Sequence, residues 1–215
     1  LGFVFALMVN NQRVKGKKIF RTIYLLPWAI PAFITIMFFS IMMSKNGVIA
    51  NALSTVFSQG VDIKNDPTQT RIALILLQGC LGHSYIFSST TRVLPGIPSD
   101  LYEAASIDGA TGFQQTLRIT IPLVLFQIAP MLINQYTFNF NNFSIIYLFN
   151  QGGPFNPSIY GNLAGTSDIL ISYIYKLTME NQYQAIGAAI TVFISIILII
   201  ISFIGYRNTQ AFKEY

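Results

Sequence analysis

Charge is what this sequence has least of. Only 10% of its 215 residues are Asp, Glu, Lys or Arg, where a soluble domain carries about a quarter. The chain therefore lacks the polar surface that coats a water-exposed globule. Its single cysteine, Cys80, excludes an internal disulfide, and one cysteine with one histidine, His83, falls short of the ligand set of a zinc site. The eight acidic residues lie in connecting segments and the tail rather than in the apolar stretches. That argues against an enzyme built on paired acids, and an apolar stretch without charge at its middle argues against an ion-driven secondary carrier. No G-x-x-x-x-G-K-[ST] loop occurs, so the chain has no phosphate cradle of that kind. Internal repeats and low-complexity tracts are also absent.

Apolar residues fill the space that charge leaves: 53% are hydrophobic and 14% aromatic, with a mean hydropathy of +0.53. About 20 apolar residues in a helix cross a hydrocarbon layer of about 30 Å. Four stretches of that kind run near Thr22 to Met43, Thr70 to Thr91, Ile121 to Tyr147 and Ala185 to Tyr206. Each is expected to be helical, because lipid offers the backbone no other partner. Leu1 to Val9 is already apolar with no Met before it. The expectation is a chain that begins inside a further span, a fragment with no visible targeting signal. Asp168 to Met179 suggests a short amphipathic helix at the surface.

The net charge of +5 gathers beside the spans, which speaks for membrane lipid rather than nucleic acid. Arg13, Lys15, Lys17, Lys18 and Arg21 fall between the stub and the first full span, Arg92 and Arg118 between the second and third, and Arg207 and Lys213 after the last. The opposite loops hold only Lys45, Lys64 and Lys176, with Arg71 at a boundary. Positive loops stay in the cytoplasm, so residues 92–120 and the C-terminus are expected inside and residues 149–184 outside.

Residues 92–120 are too patterned for a linker. Pro95 and Pro98 end the preceding helix, Asp100 is placed to cap a new one with Glu103 three residues on, and Ala104 and Ala105 favour its continuation. Gly109 is placed to stop it in a left-handed conformation. A short helix with small residues on its face suits close docking of a partner; the same spacing also fits an interfacial helix that rests on headgroups.

Polar residues recur along the spans at about 100° per residue. Gln135, Asn139 and Asn142 share a stripe bordered by Phe138, and Gln78, Gly82, Tyr85 and Ser89 form a second. Trp28, Ala32, Thr35 and Phe39 form a third, on a segment that Pro27 and Pro31 are placed to kink around a cavity. Amides beside aromatic rings suit the hydroxyls and C–H face of a sugar; they also serve to bind helix to helix. His83 is either cavity-lining or packing, and Cys80 is read as packing.

One pattern resembles a known family. Glu103-Ala104-Ala105, then Gly109, then Ile119-Thr120-Ile121-Pro122 is similar to the EAA motif of ABC import permeases, E-A-A-x3-G-x9-I-x-L-P, with Ile121 in place of Leu. Phe138 to Phe143, Gly152-Gly153-Pro154, Pro27 to Pro31 and Ala164 to Leu170 extend the resemblance to the MalF-type permeases of maltose and maltodextrin importers. The resemblance implies an all-α, polytopic membrane helical bundle of the type I ABC importer permease (MetI-like) class. Residues 1–215 would form one transmembrane domain lacking the amino-terminal spans, with 92–120 as its cytoplasmic coupling loop. It implies a bacterial plasma-membrane or inner-membrane protein that catalyses no reaction and holds no cofactor. ATP and Mg belong to a cytoplasmic ATPase dimer, which the loop would engage through Asp100, Glu103, Ala104, Ala105, Asp108 and Gly109. Further implied partners are a second permease subunit of the MalG type and an extracytoplasmic sugar-binding protein. The positions similar to the family's oligosaccharide site are Trp28, Ala32, Gln78, Leu81, Gly82, Tyr85, Phe138, Asn139 and Asn142. The maltose-type pattern more often has Tyr, Ser and Asn at 28, 32 and 78, so the glycan's length and linkage stay open, a galacto-oligosaccharide among them.

Overall fold

A computed structural model describes residues 1–11, 14–57, 60–156, 158 and 163–207. Arg13 and Lys213, used above for orientation, lie outside the described residues. Among those described, the chain is all helix and turn, with one isolated antiparallel bridge between Phe155 and Gly165. The helices are α1 (Gly2–Asn10), α2 (Lys17–Ala29), α3 (Ala32–Met42), α4 (Val48–Phe57), α5 (Pro67–Val93), α6 (Ser99–Ile107), α7 (Gly112–Gln115), α8 (Ile121–Phe140), α9 (Phe143–Asn150), α10 (Leu170–Tyr175) and α11 (Gln184–Arg207). Wider π-helical turns follow α7 at Thr116–Thr120 and α10 at Lys176–Glu180.

Three stretches are long and apolar enough to cross a membrane: Pro67–Gly96, Gly112–Asn150 and Gln184–Arg207. A fourth is the pair α2 and α3, two helices interrupted at Ile30–Pro31. Three of the four expected spans are therefore present, and a fourth where the bent pair crosses as one; two of the four differ in form from the expectation. The first is broken because Pro31, lacking an N–H, cannot continue α2 and instead stands at the N-cap of α3; Pro27 is tolerated inside α2. The third changes direction at Asn141–Asn142, where Phe143 N–H donates to the Asn141 carbonyl at 2.8 Å. Short amides favour such turns because they compete with the helical ladder. α4 lies in what reads as a plain loop, since its ten residues, apolar in the main, are too few to span.

The chain divides into two compact units. The first comprises residues 1–28, 82–137 and 199–207. Its core gathers Ala6 and Val9 of α1, Phe87 of α5, Leu94, and Val124 and Ile128 of α8. The buried Ser84 hydroxyl donates to the Tyr24 carbonyl at 2.7 Å, tying α5 to α2. His83 meets the rings of Phe5 and Tyr24 edge-on, at 5.9 and 6.1 Å between centroids, which makes it a packing residue. Cys80, read as packing, is exposed.

The second unit comprises residues 29–81 and 138–198. Ile36, Ala50, Ile63, Leu77, Ile145 and Phe149 pack as its core. The start of α5 is set by Asp66, whose carboxylate accepts from the Gln69 backbone N–H at 2.7 Å, with Pro67 at the first helical position. The segment read as a surface amphipathic helix is helical from Leu170, but it buries Ile174, Lys176 and Leu177. Lys176 Nζ lies 2.6 Å from Asp168 Oδ2, with the two side chains only 4% and 5% exposed. Asp168 also accepts from the Ser172 hydroxyl at 2.8 Å and the Gly165 N–H at 2.7 Å. Gly152, at φ +82°, completes this knot, because a Cβ there would overlap the Asp168 carboxylate.

Removing one member of a buried pair strands the other charge at a cost of about 3–5 kcal/mol, whereas replacing both is far milder. Thermal unfolding in detergent is therefore expected to show a large drop for Lys176→Met and partial recovery in Lys176→Met/Asp168→Asn.

Candidate functional site

The loop that precedes the third span forms the helix expected, with a shifted start. α6 begins at Ser99 with Pro98 at its N-cap, so Asp100 sits in the first turn and caps nothing with its side chain. The capping box falls eleven residues beyond the expected Asp100, at the start of α7. There the Thr111 hydroxyl accepts from Gln114 N–H at 3.4 Å and the Gln114 side-chain oxygen accepts from Thr111 N–H at 2.8 Å. The reason is proline's fixed φ and extended preference just before the helix, which leaves Asp100 already helical.

The exit from α6 is as expected. Gly109 adopts φ +78°. Ala110 N–H donates to the Ala105 carbonyl at 2.9 Å and Gly109 N–H to the Ser106 carbonyl at 3.1 Å, the paired bonds of a Schellman stop. A Cβ on Gly109 would meet nothing within 4 Å, so glycine is demanded there by the backbone and not by crowding.

α6 buries none of its residues. Asp100, Glu103, Ala104, Asp108 and Gly109 are exposed and Ala105 is half-buried. Sequence reasoning missed the apolar surface beside them: Ile107 is 87% exposed and Phe113 76%. The signal was present as two large side chains flanking the Asp-Gly-Ala turn. A polar cavity of about 650 Å³ opens beside α6, with Glu103, Tyr102, Gln115 and Asn10 among its lining residues.

Of the expected sugar-contacting residues, the structure brings together two groups, one in each unit. In the second unit Gln78 is the hub. Its Nε2 donates to Asn139 Oδ1, and its Oε1 accepts from Asn142 Nδ2 at 3.1 Å. The helical-stripe argument failed for Asn142, which lies beyond α8 at the N-cap of α9, yet the turn at Asn141–Asn142 still delivers its amide to Gln78. Phe138, at the end of α8, is exposed. Leu81 packs partly against the core of this unit, and Ala32 is exposed at the first position of α3.

In the first unit Trp28 and Tyr85 meet edge-to-face at 6.2 Å between centroids. Gly82 lies three residues before Tyr85 on the same helix. The expected stripe from Trp28 to Ala32 is not a helical face, because the chain breaks between them. The stripe on α5 from Gln78 to Ser89 is uninterrupted; the Ser89 hydroxyl bonds back to the Tyr85 carbonyl at 2.9 Å. Among the described residues no three His, Cys, Asp or Glu converge as metal ligands would.

Residues 1–212 match the family of binding-protein-dependent transport system inner membrane components. The chain is 51% identical over 221 residues to the maltodextrin transport system permease protein MdxF of Bacillus subtilis, covering 99% of this chain and 50% of that protein. It is 46% identical over 218 residues to the galactooligosaccharides transport system permease protein GanP of the same organism, covering 100% of this chain and 51% of GanP. The chain thus spans about half the length of the curated relatives it matches. Among solved structures, a bacterial ABC transporter involved in import of the acidic polysaccharide alginate superposes with a TM-score of 0.82 at 26% identity, over 98% of this chain and 72% of that one. The fold is accordingly the all-α, polytopic helical bundle of the type I ABC importer permeases. With its several apolar spans and a family match along almost its whole length, the chain belongs to the multi-pass inner-membrane components of binding-protein-dependent transport systems.

Proposed function

We propose that this chain forms part of the translocation pathway of an ATP-driven importer of maltodextrin-type oligosaccharides, and that it performs no reaction itself. The observation that carries the reading is α6: a helix that starts after Pro98 and stops sharply at Gly109, burying nothing, with its small and acidic residues turned outward. Such a surface suits insertion into a cleft of a separate ATPase dimer, which supplies ATP and Mg. Exposed Ile107 and Phe113 add apolar area to that contact, of a kind that marks partner surfaces.

Residues 92–120 and the C-terminus are cytoplasmic in this reading. A second permease subunit of the MalG type and an extracytoplasmic sugar-binding protein complete the system. The amide cluster of Gln78, Asn139 and Asn142 and the aromatic pair Trp28 and Tyr85 are assigned to substrate contact. The bonds within the cluster use only part of the two donors and two lone pairs that an amide carries. Similarity to MdxF supports a maltodextrin, and similarity to GanP makes galacto-oligosaccharide the competitor to test.

Two outcomes are expected with the full-length permease in its assembled transporter. Asn139→Ala and Asn142→Ala each lower maltotriose uptake by about tenfold, the worth of roughly one hydrogen bond, with complex yield unchanged; wild-type uptake in both assigns these amides to helix packing. A galacto-oligosaccharide that outcompetes maltotriose reassigns the substrate. Gly109→Asp keeps the fold, because Asp tolerates a left-handed backbone better than most residues and its side chain enters open space. It adds bulk and charge to the docking face, so ATP hydrolysis is expected to persist while uptake falls. Normal uptake in this variant counts against the docking assignment.

A further inference from the structure

α6 buries none of its residues fully, and Tyr102 is the side chain by which it packs, in part, against the core of its unit. Hydrogen bonds therefore carry much of its attachment to the helix that follows, and most of them start from one side chain. Gln115, at the end of α7, directs Nε2 to Ser106 Oγ at 2.9 Å, to the Ala110 carbonyl at 3.3 Å and to the Tyr102 carbonyl at 3.4 Å. An amide nitrogen carries two hydrogens, so these three acceptors share them. The Ser106 hydroxyl donates its own proton to the Tyr102 carbonyl at 2.8 Å, which leaves its lone pairs to receive Gln115. One amide thus spans the last two turns of α6 and the Schellman exit beyond Gly109.

A second tie lies close by. Tyr102 Oη and Thr120 Oγ1 are 2.8 Å apart, and Thr120 is buried. Both anchors flank the π-helical turn Thr116–Thr120, which runs without a break into α8. Wider turns of this type recur at functional sites. Any displacement of α6 is therefore handed to the base of the membrane-entering helix through Gln115 and the Tyr102–Thr120 pair instead of being absorbed by the intervening residues 108–114.

We propose that Gln115 is a positioning residue for energy coupling, fixing α6 rigidly to the base of α8 so that movement imposed on one is imposed on the other. This rests on the reading of α6 as the docking helix. Gln115 touches neither nucleotide nor sugar; it acts through the backbone of α6.

The test uses the full-length permease assembled with its partner subunits in proteoliposomes, with the sugar-binding protein and maltotriose, and reads ATP hydrolysed per maltotriose imported. Gln115→Leu, similar in size but without donors, is expected to raise that ratio by about five-fold, the lower range of a coupling between sites. Thr120→Val is expected to raise it by a smaller factor. Gln115→Lys, whose ammonium donates to the same oxygens, is expected to keep the wild-type ratio. An unchanged ratio in assembled Gln115→Leu overturns the proposal. So does failure of that complex to assemble, which makes Gln115 a folding residue, and so does a Gln115→Lys ratio as high as that of Gln115→Leu. Gly109→Asp run alongside separates the two possible failures. If it too leaves the ratio unchanged, the docking reading of α6 falls; if it alone raises the ratio, only the role of Gln115 falls.

Discussion

Within hydrocarbon, exchanging lipid contact for a neighbouring helix gains little hydrophobic free energy, so close fit and hydrogen bonds decide where one segment stops against another. Much of this molecule follows from that constraint. In the first unit the Ser84 hydroxyl fixes α5 to the Tyr24 carbonyl. In the second, the Ser40 hydroxyl donates to the Phe149 carbonyl at 2.7 Å while accepting from Lys64 Nζ at 2.7 Å, and Asn150 Nδ2 returns to the Lys64 carbonyl at 2.9 Å. That small network locks the end of α9 to α3 and to the start of α5. Lys64 is desolvated enough to hold its pKa below the ordinary lysine value, and its ammonium also stands 5.7 Å over the Phe149 ring. Polar residues such as Ser40, Ser84 and Asn150 serve here as fasteners, and for these the cost of burial is met by the partner each one has.

The same principle explains what was legible from sequence. Span number follows from apolar length, and the α6 stop follows from Gly109, because both are local properties that neighbours do not override. The break after Ile30 is half-legible: proline marks it, but two prolines four residues apart left open which would be tolerated, and only Pro31 interrupts the chain. The turn at Asn141–Asn142 was hidden by a helical period that Gln135, Asn139 and Asn142 satisfy by coincidence. Residues separated by sixty positions, such as Gln78 and Asn139, cannot be paired by periodicity at all; the resemblance to a sugar permease gathered them, and the structure supplies the bonds. α4 was missed because its length falls between a span and a loop. The contacts of Gln115 left no trace in composition or spacing, since two of its three acceptors are backbone carbonyls that any sequence presents.

A docking element, the role proposed for α6, has to meet two opposed demands. Its outer face must stay uncovered for a partner, which forbids the burial that ordinarily fixes a helix. Its attachment must still be stiff, or the work done on it is lost in bending. α6 satisfies both by moving its fixation from side-chain burial to backbone acceptors. The Schellman turn fastens its end internally, the Gln115 amide reaches carbonyls on the inner side, and only Tyr102 reaches back to the hydrophobic cluster of its unit. Nothing on Glu103, Ala104 or Ile107 is consumed in holding the helix. Glycine at 109 fits the same division: with φ +78° required and open space beyond its α-carbon, it turns the chain sharply while adding no atom to the face that the partner must approach. In that proposed role the small residues of the motif serve two needs at once, close approach from outside and a tight exit within, and two of the three Gln115 acceptors are backbone carbonyls, which substitution of α6 side chains leaves in place.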